Sequence, residues 1–177
     1  MGRIFLTAIA LGCLLTGCKS HQETTDGQSN GNQTETKMKK KMPQGQLTYV
    51  TYNFQGMAME MVSNVELSKV DGKTQISFEY WYEERKFDAP DSLLVKARDI
   101  IEEEEMYNYS SSYKPLFNGR ILDGFHWNFD AKFEGGERIS SHGRNESPKG
   151  EGLHRIHALL RDAAMQALKE NGELKEN

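Results

Sequence analysis

The chain has 177 residues, with 22 Lys and Arg against 26 Asp and Glu, a formal net charge of −4 at pH 7 and 37% hydrophobic residues. That length allows one ordinary domain with its own core. The acidic balance argues against a nucleic-acid partner, because the only basic run, Lys37, Lys39, Lys40 and Lys41, has no aromatic residue interleaved with it.

The chain opens with a basic Arg3, an apolar run over residues 4–15 and then Leu15-Thr16-Gly17-Cys18. An apolar stretch this short, ending in small residues, fits a cleaved export signal and is too short to span a bilayer. The four residues resemble the lipobox of bacterial lipoproteins. The resemblance implies that the Cys18 thiol carries diacylglycerol, that the bond before it is cut, and that the new amino terminus takes a third acyl chain. Such an anchor holds a membrane stably. Residues 1–17 are then the signal peptide. Lys19, standing where enterobacterial lipoproteins of the inner membrane often carry Asp, implies the outer membrane. Lys19-Ser20-His21-Gln22 has no acidic character of the kind that accompanies surface display, which leaves the face towards the periplasm. The other cysteine, Cys13, leaves with the signal, so the mature chain is expected to lack a disulfide.

Residues 18–45 comprise the acylated cysteine and a polar stretch almost without aliphatic side chains. Such a composition does not offset the entropy of ordering and is expected to form a disordered tether with a root-mean-square reach of roughly 30 Å. Its lysines read as a solvated spacer in preference to a headgroup contact.

Residues 46–172 form the expected single domain, and 173–177 a disordered tail. Met57, Met59, Met61, Val65 and Leu67 alternate with polar residues, the period of a half-buried strand. Asp71-Gly72 supplies the two central positions of a tight hairpin. Pairing across it sets Leu67 opposite Ile76, Val65 opposite Phe78, Ser63 opposite Tyr80 and Met61 opposite Tyr82. A second turn at Gln55-Gly56 would set Tyr52 against Met59 and Val50 against Met61. Ala89-Pro90-Asp91-Ser92 then reads as a helix start, with Leu93, Leu94, Ala97, Ile100 and Ile101 as its apolar stripe. The carboxylates of residues 102–105 meet the negative end of the helix dipole, so fraying is expected there. A long loop over residues 107–120 carries Tyr107, Tyr109 and Tyr113. Phe125, Trp127, Phe129, Ala131 and Phe133 alternate as a fourth strand. A three-residue turn at Gly135-Gly136-Glu137 sets Phe133 against Ile139 on the fifth. A last helix runs from about Gly152 to Asn171 on a stripe of Leu153, Ile156, Leu160, Ala163, Ala164 and Ala167, with Gly172 as its stop. The expected fold is α+β: an antiparallel sheet of about five strands in the order βββαββα, with two helices packed on one face.

Several residue groups carry candidate chemistry. The expected register places Tyr49, Val62 and Trp81 in a row across the outward face, among Thr51, Glu60, Asn64 and Glu79. Such a row can stack on a sugar ring or grip a partner's apolar residue. Tyr109 and Tyr113 in the long loop offer a second binding surface. Arg144, Asn145 and Lys149, ahead of the last helix, form a candidate anion site, although a turn shaping a helix cap explains the same residues. Ser141, Gly143, Asn145 and Pro148 resemble a segment recurring in uncharacterised bacterial domains over about twenty residues. It lacks the Gly-Lys-Ser/Thr ending of a phosphate loop. Glu151, His154 and His157 have spacing that can hold a metal, but lack the four-residue His pair of a zinc protease helix; a border histidine is the expected reading. The carboxylates of residues 102–105 lack the spacing of a calcium loop. Asp130 and His142 face each other in the expected register beside Ser140 and Ser141, but no nucleophile elbow accompanies them, and a cross-strand ion pair accounts for them.

No catalytic residue, metal or cofactor is therefore expected. The leading expectation is a lipid-anchored, non-catalytic envelope domain. It would bind another envelope component, protein or glycan, through the outward sheet face or the tyrosine-rich loop. The alternatives are a hydrolase or transferase acting on cell-wall or glycan substrates through Asp130 and His142, and a structural subunit of an envelope assembly.

Overall fold

A computed structural model of the protein describes residues 40–56, 60–115 and 124–174, all within the unit formed by residues 38–177. The expected signal, Cys18 and the expected tether as far as residue 39 lie outside the described residues. So do Met57 and Met59, residues 116–120 of the expected long loop with 121–123 after it, and residues 175–177 of the expected tail.

The strands are β1 (Leu47–Gln55), β2 (Val62–Val70), β3 (Lys73–Tyr80), β4 (Glu83–Asp88), β5 (Ser112–Tyr113), β6 (His126–Phe133) and β7 (Arg138–Arg144), and the helices are α1 (Ser92–Glu103) and α2 (Gly152–Glu170). They build one sheet in the order β4-β3-β2-β1-β6-β7-β5. Every pairing is antiparallel except β5 with β7, which makes the sheet mixed. The protein is thus α+β, but with seven strands where about five antiparallel ones are expected from the sequence.

Alternation puts Val50, Tyr52, Leu67, Ile76, Phe78 and Phe129 on one face, and both helices cover that face. From α1 come Leu94, Ala97 and Ile101, and from α2 Leu153, Ile156, Leu160, Ala164, Ala167 and Leu168. Each fully buried Leu, Ile or Phe contributes about 1.5–3 kcal/mol. Asp71-Gly72 closes β2 on β3 with φ of +50° and +81°, the left-handed pair that a two-residue hairpin requires. The stop of α2 is a Schellman motif: the Glu173 N–H donates to the Leu168 carbonyl and the Gly172 N–H to the Lys169 carbonyl, with Gly172 at φ +72°.

The register departs from expectation at three places. In the β2–β3 ladder Leu67 faces Ile76 as expected, but a bulge at Asn64, with φ +52°, inserts one residue. Beyond it Val62 pairs with Tyr80 and Ser63 with Glu79, so Val62 turns inward and Met61 leaves the strand. Between β1 and β2 no tight turn forms at Gln55-Gly56. The connection is longer, and Tyr52 pairs with Val65 and Val50 with Leu67. On β7, Ile139 pairs with Ala131 and not with Phe133; a slip of two preserves the face, and Ile139 stays in the core.

The two extra strands have simple origins. Trp81-Tyr82 forms a two-residue turn with φ of +49° and +69°, and β4 returns along β3 with Tyr80 opposite Glu83. The left-handed conformation costs about 1–2 kcal/mol per residue with a Cβ, and nothing in the dipeptide announces a turn. Strand β5 is a two-residue addition inside the tyrosine loop, tied down where the His142 N–H donates to the Ser111 carbonyl.

The folded part reaches further at both ends than composition indicates. Pro43 is buried, Met42 packs on the core and the Lys40 amine donates to the Tyr109 carbonyl, so residues 40–45 belong to the fold and not to a tether. Glu173 accepts from Arg85, and Leu174 packs on the core. At the end of α1, Arg155 bridges Glu103 and Glu104 at 2.7 and 2.8 Å, and Arg98 holds Glu102 at 3.1 Å. These cations offset the unfavourable meeting of carboxylates with the helix dipole, so the end of α1 is pinned to α2 where fraying is expected.

Candidate functional site

The chemistry gathers at the end of the sheet where β1 leaves, β6 enters and α2 begins. Alternation along β1 sends Tyr52 and Phe54 to the helix side there, and the first turns of α2 present Leu153, His154 and His157 to them. Between them lies a cleft of about 350 Å³.

One wall is the stacked pair of Phe54 and Phe125, with ring centroids 5.7 Å apart. The opposite wall comes from Ser147, Pro148 and Gly150, in the loop before α2. Two contacts fix that loop. The Trp127 indole N–H donates to the Glu146 carbonyl at 2.8 Å. Asn145, at φ +54°, accepts the Phe125 N–H on its side chain at 2.7 Å and returns its own N–H to the Phe125 carbonyl at 2.9 Å. Gly143 is required beneath them, since a Cβ there would overlap both Trp127 Nε1 and the Glu146 carbonyl oxygen.

Polar groups converge on the cleft from three elements. Glu60, ahead of β2, places its carboxylate 3.4 Å from His157 Nε2. The His157 ring lies 5.4 Å from that of Tyr52. Tyr52 is only 8% exposed, yet its hydroxyl has no hydrogen-bond partner among the described residues. Burial, and secondarily the charge of Glu60, push its pKa up to about 12, so at neutral pH the phenol is a proton donor. Although the ring is largely buried, the hydroxyl itself reaches the accessible surface of the cleft, so its hydrogen-bonding capacity is open to a ligand. The cleft thus offers a donor in Tyr52, an acceptor in Glu60, two imidazoles and an aromatic wall, the mix that orients a polar ring.

Other hollows lack this convergence. One of about 460 Å³ beside Met61, Val62, Arg161, Asp162 and Met165 shares Glu60 with the cleft. Another of about 390 Å³ separates the two helices.

The sequence-derived candidates are dispersed. Val62 is 5% exposed in the core, while Trp81 sits in a turn, 58% exposed. Tyr49 lies mid-sheet, donating to Glu66 at 3.0 Å beneath the Lys132 amine. Tyr49, Val62 and Trp81 therefore form no row, because the bulge at Asn64 and the longer β1–β2 connection shift the register. Tyr109 is 8% exposed in the core, and the half-buried Tyr113 packs on Trp127, the two tyrosine rings meeting edge-on. Arg144 and Lys149 are exposed at the two ends of the loop before α2, while Asn145 between them is engaged by Phe125.

Asp130 pairs across the ladder with Ser140, and His142 with Asn128. The Asp130 carboxylate is gripped by Arg138. Ser141 points inward and donates to the Ser110 carbonyl at 2.6 Å. Asp130 and His142 are thus not opposite each other, because the β6–β7 turn centres one residue earlier than expected and the pairing slips by two. His157 takes its carboxylate from Glu60 and not from Glu151, and no group of three His, Cys, Asp or Glu is placed to hold a metal among the described residues. Tyr52 and Phe54 carry no site signal in the sequence, and the expected register puts Glu60 on the opposite face; the pairing of His154 with His157 and the candidate anion loop ahead of α2 point to this end of the helix.

No protein-family model, curated protein or solved structure matches the chain. Among the described residues no helix is long and apolar enough to cross a membrane.

Proposed function

We propose that the chain is a lipid-anchored protein of the bacterial cell envelope, held by acylated Cys18 in the outer membrane towards the periplasm, and that its folded domain binds an envelope glycan in the cleft without turning it over. Leu15-Thr16-Gly17-Cys18 supports the anchor. The unpartnered Tyr52 hydroxyl, facing a carboxylate and an aromatic wall, carries the binding reading. A sugar ring presents hydroxyls to donor and acceptor and an apolar face to Phe54. Binding is favoured over hydrolysis because Asp130 is committed to Arg138 and Ser141 to the Ser110 carbonyl.

The test is co-sedimentation of the full chain with insoluble cell-wall glycan. Tyr52→Phe removes one neutral hydrogen bond and is expected to weaken binding about 3–10-fold, whereas Glu60→Gln, which removes a charge-assisted one, weakens it about 10–100-fold. Binding unchanged in both variants would refute the cleft as the site. Intact mass of the purified chain tests the anchor separately: the expected result is three acyl chains on a chain beginning at Cys18, and an unmodified cysteine would refute it.

A further inference from the structure

The sheet face away from the helices is covered by no element among the described residues, and its charges are sorted by strand. On β2, β3 and β4 it carries Glu66, Glu79, Glu84 and Asp88 against the two amines of Lys73 and Lys86, still a net acidic half. On β6 and β7 it carries Lys132, Arg138 and Arg144 against the single carboxylate of Asp130, which Arg138 already neutralises. Between the halves, β1 presents Tyr49, Thr51, Asn53 and Gln55, all uncharged. This strand is also the fourth of seven, with three on either side.

We propose that this face is a self-complementary interface that pairs two copies of the chain about a two-fold axis parallel to β1. Rotation about such an axis lays the β2–β4 half of one copy over the β6–β7 half of the other, so each acidic half meets a basic one, twice. This is the isologous arrangement of a cyclic dimer.

Area permits it. Seven strands at a spacing of about 4.8 Å, and some seven residues of strand at about 3.3 Å each, give a face of roughly 29 by 23 Å. Side-chain relief brings that near the roughly 800 Å² per partner of a standard stable interface. At the centre of the face Tyr49 is held between Glu66 and Lys132, one from each half.

Sedimentation equilibrium of the full chain in density-matched detergent tests this. The wild-type chain is expected to dimerise. Glu66→Lys with Glu79→Lys in one variant, and Lys132→Glu with Arg144→Glu in another, should each raise the dimer dissociation constant at least tenfold. An equimolar mixture of the two variants should restore dimers, which also shows that both remain folded. A wild-type chain that stays monomeric overturns the proposal, as does a dimer that neither reversal weakens. Two weakened variants whose mixture fails to pair overturn it too.

Discussion

Gly143→Ala puts a methyl group into the contact that shapes the cleft. Gly143 lies on β7 opposite Trp127, and its added Cβ would fall on both Trp127 Nε1 and the Glu146 carbonyl oxygen, the two ends of one hydrogen bond. Neither end can yield cheaply. Trp127 is 1% exposed and packed on Tyr113, and Glu146 is backbone in the loop that walls the cleft. Overpacking of this kind costs about 1–3 kcal/mol, and stranding a buried indole N–H adds about 1–3 kcal/mol. The reduced freedom of the unfolded chain returns about 0.4–1 kcal/mol. The net expectation is a loss of about 2–4 kcal/mol, a large share of the roughly 5–15 kcal/mol of an ordinary domain. Urea unfolding followed by tryptophan fluorescence measures it. Gly136→Ala is the control: Gly136 has φ +81° with nothing near its Cβ, so only left-handed strain of about 1–2 kcal/mol applies. A Gly143→Ala loss under 0.5 kcal/mol, or one no larger than that of Gly136→Ala, would refute the packing argument.

Burial holds the phenols of Tyr52 and Tyr109 at about 12. Tyr49 reaches about 12 through burial first and its hydrogen bond to Glu66 second. Unfolded tyrosines ionise near 10, so between those values the unfolded chain holds fewer protons and stability falls as pH rises. Phenolate absorbance should therefore show three of the seven tyrosines ionising late, and all seven ionising near 10 would contradict this. Arg155→Ala removes the bridge from α2 to Glu103 and Glu104, so the urea midpoint should fall, and fall less in 1 M salt; an equal loss at both salts would mean that packing and not charge is responsible. Gly172→Ala strains the Schellman turn and should cost about 1–2 kcal/mol by the same unfolding assay, whereas no change would mean the motif does not hold the end of α2.

Features with local causes were legible in the sequence. Asp71-Gly72, the stripes of both helices and Gly172 each rest on the conformational preference of a few neighbouring residues, and each stands where expected. What escaped depends on distant partners. The turn at Trp81-Tyr82 forms against local preference, with the Trp81 N–H donating to the Met61 carbonyl across the ladder. The bulge at Asn64 is invisible to an alternation pattern, and one inserted residue was enough to send Val62 inward and dissolve the expected aromatic row. The cleft was the least legible: Tyr52, Glu60, Phe125 and His157 come from four separate stretches of chain, and Tyr52 and Phe125 read simply as core residues.

Amide and side-chain NMR of isotopically labelled protein, titrated with soluble cell-wall glycan fragments, locates the binding site by residue. Cleft binding requires saturable shifts at Tyr52, Phe54, Glu60, His154 and His157, with the Tyr52 hydroxyl becoming protected from exchange. Shifts that centre on the open sheet face or on the Trp81-Tyr82 turn, or a spectrum that no glycan perturbs, would contradict it.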